Sequence, residues 1–121
     1  MNYFIFHTVP DEGSLRLVDG ENVYSGRVEI FYNATWFPIC QRGWADPDAN
    51  VACKQLGMEP GSRWEQSLPA DSGAQMLLID VACVGNEKQL SECTLPLTTD
   101  TDTCAADETA AVTCTGNTLL Y

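Results

Sequence analysis

Six cysteines constrain the fold of this 121-residue sequence more than any other feature. An even number of cysteines in a short chain is typical of a disulfide framework, whereas a zinc site usually brings a close CxxC pair or cysteines with histidine. The closest cysteines are ten positions apart here, and the single histidine, His7, lies far from them. We therefore expect three disulfides and an extracellular, oxidising compartment. The six residues are Cys40, Cys53, Cys83, Cys93, Cys104 and Cys114.

Length and charge narrow the class of protein further. The chain is long enough for one domain, and its 45% hydrophobic residues can bury a modest core. Its net charge of −11 disfavours nucleic acid, anionic lipid and polyanionic ligands over the average surface. The sequence contains no run of eighteen apolar residues, so we expect no direct insertion into a membrane.

The break at Pro10-Asp11-Glu12-Gly13 divides the chain into a domain and its flanks. We predict a leader or linker over 1–13, the domain over 14–115 and a tail over 116–121. The apolar start lacks the basic region and the small-residue cleavage site of a signal peptide. A disulfide-rich chain of this kind is expected to be a module of a longer secreted or membrane protein.

Alternating apolar residues predict several strands. The first two cover 15–18 and 28–32, and a third over 36–40 forms a hairpin with the second through a turn at Asn33-Ala34. Trp36 is expected to pack in the core with the apolar residues of the second strand. The apolar stretch 75–83 predicts a buried strand, and 110–115 predicts a closing strand.

One helix is predicted to begin at Asp46-Pro47, where Asp46 can cap free backbone N–H groups and Pro47 fits the first helical position. Gly57 is expected to end it. Its apolar residues fall on one face and direct Cys53 toward the core. These residues are Ala49, Ala52, Cys53 and Leu56. A single helical turn is expected within 88–93.

From Leu15 to about Cys114 the sequence resembles the scavenger receptor cysteine-rich (SRCR) family. The resemblance rests on "LRLVDG", "SGRVEIF", "ATWFPIC", "CQRGWADPDANVACKQLGM", "IDVACVGNEKQLSEC" and "CAADETAAVTC". The two extra cysteines of the family's eight-cysteine group would fall at Tyr24 and Met58, and both are missing together. The chain is therefore similar to the six-cysteine group A type.

The resemblance implies a fold and a disulfide pattern that the sequence alone leaves open, since six cysteines allow fifteen pairings. The implied bonds are Cys40–Cys104, Cys53–Cys114 and Cys83–Cys93. The implied fold is α+β: a compact disulfide-rich domain in which a curved antiparallel β-sheet cradles one α-helix.

Family members often bind calcium through two aspartates after the first cysteine and through the glutamate of G-x-E. Glu87 keeps the glutamate, but Gln41 and Arg42 replace the aspartates, so the main site is lost and Arg42 offers Glu87 an ion-pair partner in place of a metal. Asp80 keeps one acid of a second family site, where Ile79 replaces the other. Asp80 and Glu87 are thus weak metal candidates, and no cofactor is expected. Further acids, expected to be solvated at the surface, are Asp46, Asp48, Asp107 and Glu108.

The resemblance implies an extracellular module that recognises a protein, a glycan or a microbial surface. Candidate contact residues are the Arg/Trp set Arg42, Trp44, Arg63 and Trp64, residue types favoured at interface hot spots. Asn33-Ala34-Thr35 is an N-glycosylation sequon. No catalytic constellation is evident, because His7 lies in the predicted leader and the cysteines are expected to be oxidised. The alternative is a non-binding spacer or regulatory module beside an extracellular enzyme such as a protease or an amine oxidase.

Overall fold

The structure is a computed structural model that describes residues 10–64, 68–70, 76, 81–93, 104–105 and 107–116. Most of the stretch 75–83, predicted as a buried strand, lies outside the described residues, as do Ile79 and Asp80. The elements in chain order are β1 (Leu15–Asp19), β2 (Ser25–Tyr32), β3 (Thr35–Pro38), α1 (Asp46–Gln55), β4 (Glu59–Arg63), a 3-10 turn (Leu90–Glu92) and β5 (Ala111–Thr115). No helix among the described residues has the length and apolar character needed to cross a bilayer.

Strand β2 is the centre of an antiparallel sheet with the order β1-β2-β5-β4. It pairs with β1 along one edge, and with both β3 and β5 along the other. Helix α1 contacts β4 and β5. The predicted fold class, a curved antiparallel sheet with one helix, is confirmed.

The hairpin between β2 and β3 turns on two residues. Asn33 and Ala34 have φ values of 51° and 65°, and Tyr32 pairs with Thr35 on either side of them. Two successive left-handed residues in a two-residue loop are typical of a type I′ turn, whose twist matches that of the flanking strands. The predicted hairpin is confirmed.

The core lies between one face of the sheet and α1. Val28 and Ile30 project into it from β2, while Ala49, Ala52 and Cys53 enter it from the helix. Other buried members are Leu15, Ile39, Trp44, Val51, Val81, Leu90, Cys93, Ala110, Val112 and Cys114. Because side chains alternate along a strand, the residues between and beside Val28 and Ile30 on β2 project to the opposite face of the sheet.

Trp36 does not pack in this core, so that expectation was wrong. It pairs with Phe31, whose side chain projects to the opposite face because side chains alternate along a strand. The Phe31 and Trp36 rings meet edge to face with centroids 5.2 Å apart. The Arg16 guanidinium lies 4.5 Å from the centroid of the Trp36 ring.

A buried ionic cluster occupies this second face of the sheet. Arg27 and Glu29 are both 5% exposed, and Arg27 Nε donates to Glu29 Oε2 at 3.1 Å. Arg27 Nη1 also donates to the carbonyl oxygens of Leu68 and Pro69, at 3.3 and 2.9 Å. The cluster therefore anchors the segment 68–70 to the sheet through its backbone.

Helix α1 begins at Asp46, as predicted, but the side chain that caps it belongs to Asp48 and not to Asp46. The N-cap residue is Ala45, and Asp48 Oδ2 accepts its backbone N–H at 2.8 Å. Asp46 is itself the first helical residue, and its Oδ1 accepts the backbone N–H of Arg63 at 2.9 Å. At the other end, Gly57 has a φ of 78°, a left-handed conformation that stops the helix as expected.

Strand β4 was not predicted, because Glu59-Pro60-Gly61-Ser62-Arg63 contains a Pro-Gly pair and no apolar alternation. It is an edge strand, where proline is tolerated, and its register with β5 shifts between Glu59 and Ser62. A Cβ atom at Gly61 would collide with the carbonyl oxygen of Thr113. Only glycine fits this close approach.

Three disulfides close the domain: Cys40–Cys104, Cys53–Cys114 and Cys83–Cys93. These are the three pairs that the resemblance implies. The Cα atoms of the bonded residues are 5.9, 5.7 and 4.8 Å apart, respectively. The second bond joins α1 to β5 inside the core.

Candidate ligand-binding pocket

A pocket of about 170 Å³ opens where three segments meet: the loop before α1, the end of β4 and the start of β5. Its lining consists of Gln41, Trp44, Arg63, Trp64, Thr109, Ala110 and Ala111. The β4–β5 pairing forms this pocket: Arg63 pairs with Val112, which brings the end of β4 beside the start of β5.

The carbonyl oxygen of Ala111 organises the two tryptophans. It accepts the indole Nε1–H of Trp44 at 3.1 Å and the backbone N–H of Trp64 at 2.8 Å. Trp44 is only 5% exposed, so its ring forms part of the wall. Trp64 is partly exposed and Arg63 is exposed, which leaves these two at the accessible rim.

Backbone hydrogen bonds hold the opposite side of the pocket. The N–H of Gln41 donates to the carbonyl of Glu108 at 2.8 Å, and Cys40 pairs with Thr109 in an isolated antiparallel β-bridge. Thr109 Oγ1 donates to the carbonyl of Leu68 at 2.9 Å. The backbone of Gln41 is thereby held at the mouth, beside the start of β5.

Three of the four candidate contact residues line this pocket: Trp44, Arg63 and Trp64. Arg42 is not among the lining residues, and its neighbour Gln41 takes that place. Sequence reasoning considered Gln41 only as a lost aspartate. It gave no sign of Thr109, Ala110 and Ala111, because their role depends on strand pairing and not on residue type.

The lining combines groups suited to a small polar ligand. A guanidinium presents five N–H donors in a fixed plane, a carboxamide offers both donors and an acceptor, and an indole ring offers an apolar face. Together these groups can hydrogen-bond to carboxyl, carbonyl or hydroxyl oxygens while an apolar part of the ligand packs on Trp64.

Glu87 is engaged by the backbone of its own loop. Its Oε2 accepts the N–H of Val84 and its Oε1 accepts the N–H of Gly85, each at 2.9 Å. These two bonds are the main reason that the pKa of Glu87 lies below its ordinary value, with a smaller contribution from Lys54. The ion pair that Arg42 could make with Glu87 is not among those between described residues, which are Arg16–Glu29, Arg27–Asp19 and Arg27–Glu29.

The residues present do not fit a calcium ion at the family's main position. Cys83, Glu87 and Cys93 place their ligand atoms within 4.8 Å of one another, but the two sulfurs form a disulfide and supply no thiolate. Glu87 is then the single carboxylate of this group, and Gln41 and Arg42 add no negative charge. The other weak candidate, Asp80, lies outside the described residues.

Three of the four further acids accept backbone N–H groups. Asp48 is buried and not solvated as expected, and it accepts the N–H of Ala45 at the start of α1. Asp46 accepts the N–H of Arg63 in β4, and Glu108 Oε1 accepts the N–H of Ala105 at 2.8 Å. Burial raises the pKa of Asp48, and the nearby charge of Glu87 raises it further, against the lowering effect of its bonds from Cys83 and Ala45. Asn33 lies at the exposed tip of the β2–β3 hairpin.

Comparison with known proteins shows what the chain is related to. The family model described as "Scavenger receptor cysteine-rich domain" matches residues 18–115. This chain belongs to the scavenger receptor cysteine-rich family. With three disulfides, it fits the group A-like SRCR domains.

Three relatives illustrate the similarity. A "Scavenger receptor cysteine-rich domain superfamily protein" of Patiria pectinifera and the "Galectin-3-binding protein" of Bos taurus are each 34% identical to the chain over 108 residues, 88% of its length. The crystal structure of the third SRCR domain of murine neurotrypsin is 37% identical, with a TM-score of 0.72, and the match covers 84% of this chain and 94% of that domain.

The chain spans only 10% of the Patiria relative and 19% of the bovine one. SRCR domains are extracellular, non-catalytic modules of scavenger-receptor-like or mosaic proteins, and they generally bind extracellular protein or microbial ligands.

Proposed function

We propose that this chain is an extracellular module that binds a protein or glycan ligand, including one on a microbial surface, through the pocket at Trp44, Arg63 and Trp64. The observation that carries the proposal is the convergence of these three side chains, which lie apart in the sequence, on one pocket. Arg63 and Trp64 at the rim are the contact residues, while the buried Trp44 positions them. We place the module at 14–115, between a leader or linker and a tail.

Polar recognition without a metal is the mode that this pocket supports. The guanidinium and carboxamide at the mouth supply hydrogen-bond donors directly, and the family's main calcium position has lost its aspartates. A long polyanion is a weaker candidate, because the whole chain carries a net charge of −11 and repels it at long range. The chain acts by binding and not by catalysis.

A spacer or regulatory role beside an extracellular enzyme is the alternative. It is supported by the small share of its relatives that this chain spans, which is the expected relation between one module and a mosaic protein. In that role the pocket would have no ligand of its own.

A binding screen with matched variants tests the proposal. The purified chain is screened against extracellular proteins, glycans and microbial surfaces, with and without calcium. For any ligand found, Trp64→Ala and Arg63→Gln should each weaken affinity roughly tenfold or more, the effect expected of interface hot spots. Lys88→Gln removes an exposed cation outside the pocket and is the control.

The outcomes separate the two roles. A ligand whose affinity is unchanged by Trp64→Ala and Arg63→Gln would show that the binding site lies outside the pocket. Failure of the chain to bind any ligand class, while its thermal transition shows that it is folded, would favour the spacer or regulatory role.

A further inference from the structure

Asn33-Ala34-Thr35 is the only Asn-X-Ser/Thr sequence in the chain, and the fold presents it at the tip of the β2–β3 hairpin. Asn33 and Ala34 are the two residues of the turn, and Thr35 is the first residue of β3. All three are exposed. Within the described part of the chain, the hydrogen bonds of Asn33 are made by its backbone N–H, which donates to the Glu12 carboxylate. The side-chain amide is left available for modification.

The residue before the sequon is an aromatic one. Tyr32 ends β2 and pairs directly with Thr35 across the turn, so the two side chains lie on the same face of the hairpin. The centroid of the Tyr32 ring is 6.4 Å from that of Phe37, which supports the ring from within the strand pair. The residue nevertheless remains 52% exposed. An aromatic surface is therefore open beside the amide of Asn33.

We propose that Asn33 carries an N-linked glycan and that its first N-acetylglucosamine packs on the ring of Tyr32 and the methyl group of Thr35. In a two-residue turn, a sugar on Asn33 begins within reach of both side chains that flank the turn. A pyranose ring presents axial C–H groups on one face, and these groups remove aromatic surface from water when they cover it. The glycan thus stabilises the hairpin that displays it.

The covalent step is a glycosyl transfer in the secretory pathway. The amide Nδ2 of Asn33 forms a bond to C1 of the reducing-end sugar of a lipid-diphosphate-linked oligosaccharide. The C1–O bond to the diphosphate breaks, the lipid diphosphate leaves with the bonding electron pair, and the amide nitrogen releases one proton. Folding of the hairpin then brings the attached sugar against Tyr32.

The test begins with the chain secreted from mammalian cells. Peptide mapping by mass spectrometry should find the glycan on Asn33. An endoglycosidase that leaves one N-acetylglucosamine then gives a defined sample, which is compared with the same sequence lacking sugar. The single sugar should raise the melting temperature by about 4 °C.

Two variants and one control separate the packing from a general effect of a glycan. Tyr32→Leu removes the ring, and Thr35→Ser keeps the sequon but removes the methyl group; each should reduce the thermal gain from the sugar. Lys88→Thr combined with Thr35→Val moves the only sequon to Asn86, an exposed loop residue preceded by Gly85. A sugar there should give no thermal gain.

Two results would overturn the inference. The first is an unmodified Asn33 in cells that do modify Asn86 in the control variant. The second is a sugar on Asn33 that gives no thermal gain, or the same gain in Tyr32→Leu and Thr35→Ser as in the parent chain. If Tyr32→Leu fails to fold, the Thr35→Ser comparison decides the matter by itself.

Discussion

Asp48 and Cys83 are joined by a hydrogen bond that spans 35 residues of sequence, in which Asp48 Oδ1 accepts the backbone N–H of Cys83 at 2.8 Å. The other oxygen of the same carboxylate accepts the N–H of Ala45 at 2.8 Å. One buried side chain therefore caps helix α1 and fixes the loop of the Cys83–Cys93 disulfide.

Removal of this carboxylate should weaken the fold. We expect Asp48→Ala to lower the free energy of unfolding by about 2–3 kcal/mol, because two backbone donors lose a charged acceptor. The exposed neighbour Asp46 accepts one N–H, so Asp46→Ala is the matched control and should cost about 0.5–1 kcal/mol. Urea unfolding at neutral pH measures both, and equal costs would contradict the assignment of the cap to Asp48.

Asp48 and Glu87 should give opposite pH dependences. Burial raises the pKa of Asp48 above its ordinary value of 3.8, so its contribution to stability is full below pH 3.8 and is lost as the pH rises through the folded value. The N–H groups of Val84 and Gly85 lower the pKa of Glu87 below 4.5, so its contribution is full above pH 4.5 and is lost as the pH falls through the folded value.

Unfolding free energies of the parent chain, Asp48→Asn and Glu87→Gln between pH 3 and pH 7 check both signs. On acidification, the advantage of the parent chain over Asp48→Asn should grow, while its advantage over Glu87→Gln should shrink. Parallel curves for the three proteins would show that neither carboxyl group titrates differently in the folded and unfolded chains.

Local patterns were sufficient for the elements that carry strong signals. Val28 and Ile30 alternate along β2, and Gly57 ends α1, as the sequence predicts. Alternation alone does not show which face of the sheet meets the helix, so Trp36 was assigned to the wrong side. Two aspartates within three positions likewise made the cap of α1 ambiguous.

The pocket could not be predicted because it depends on β4. That strand is defined by its ladder with β5 and by the glycine at position 61, and its residue types indicate a turn. Once β4 pairs with β5, Arg63 and Trp64 are carried to Trp44. The arginine and tryptophan residues therefore predicted what kind of ligand contacts the site could make, but the pairing of β4 with β5 decides which residues line it.

The disulfides should differ in their effect on stability. Removal of the buried Cys53–Cys114 bond by a double alanine substitution should cost about 4 kcal/mol, since it closes a loop of 61 residues. The same change at Cys83–Cys93, with a loop of 10 residues, should cost about 3 kcal/mol and serves as the comparison. Complete reduction should abolish the cooperative thermal transition. A reduced sample that still melts cooperatively would show that the hydrophobic core keeps the chain folded without the disulfides.

Ala34 should be a site of easy stabilisation. Its φ of 65° is unfavourable for a residue with a Cβ atom, and the second position of a type I′ turn prefers glycine. We expect Ala34→Gly to raise the free energy of unfolding by about 0.5–1 kcal/mol after the greater entropy of the unfolded glycine is allowed for. Ala82→Gly, at an exposed position without a positive φ, should instead lower it by a similar amount.

Calcium should bind weakly or not at all to the unmodified chain. Gln41→Asp combined with Arg42→Asp supplies two carboxylates and removes a cation, so the double variant should gain calcium affinity measurable by calorimetry. Addition of Glu87→Ala to that variant should remove the gain. Micromolar or tighter binding by the unmodified chain, lost on Glu87→Ala, would mean that the replaced aspartates are not essential.

Trp64, Leu68 and Pro69, beside the pocket, are held to their neighbours through main-chain atoms. Arg27 and Thr109 donate to the carbonyl oxygens of Leu68 and Pro69, and the N–H of Trp64 donates to Ala111. Because Trp64, Leu68 and Pro69 take part through backbone atoms, these bonds do not depend on which side chains stand at the three positions. Substitutions at the rim can therefore exchange one recognition chemistry for another while the scaffold keeps its geometry, and a single architecture can diversify its ligands over evolution.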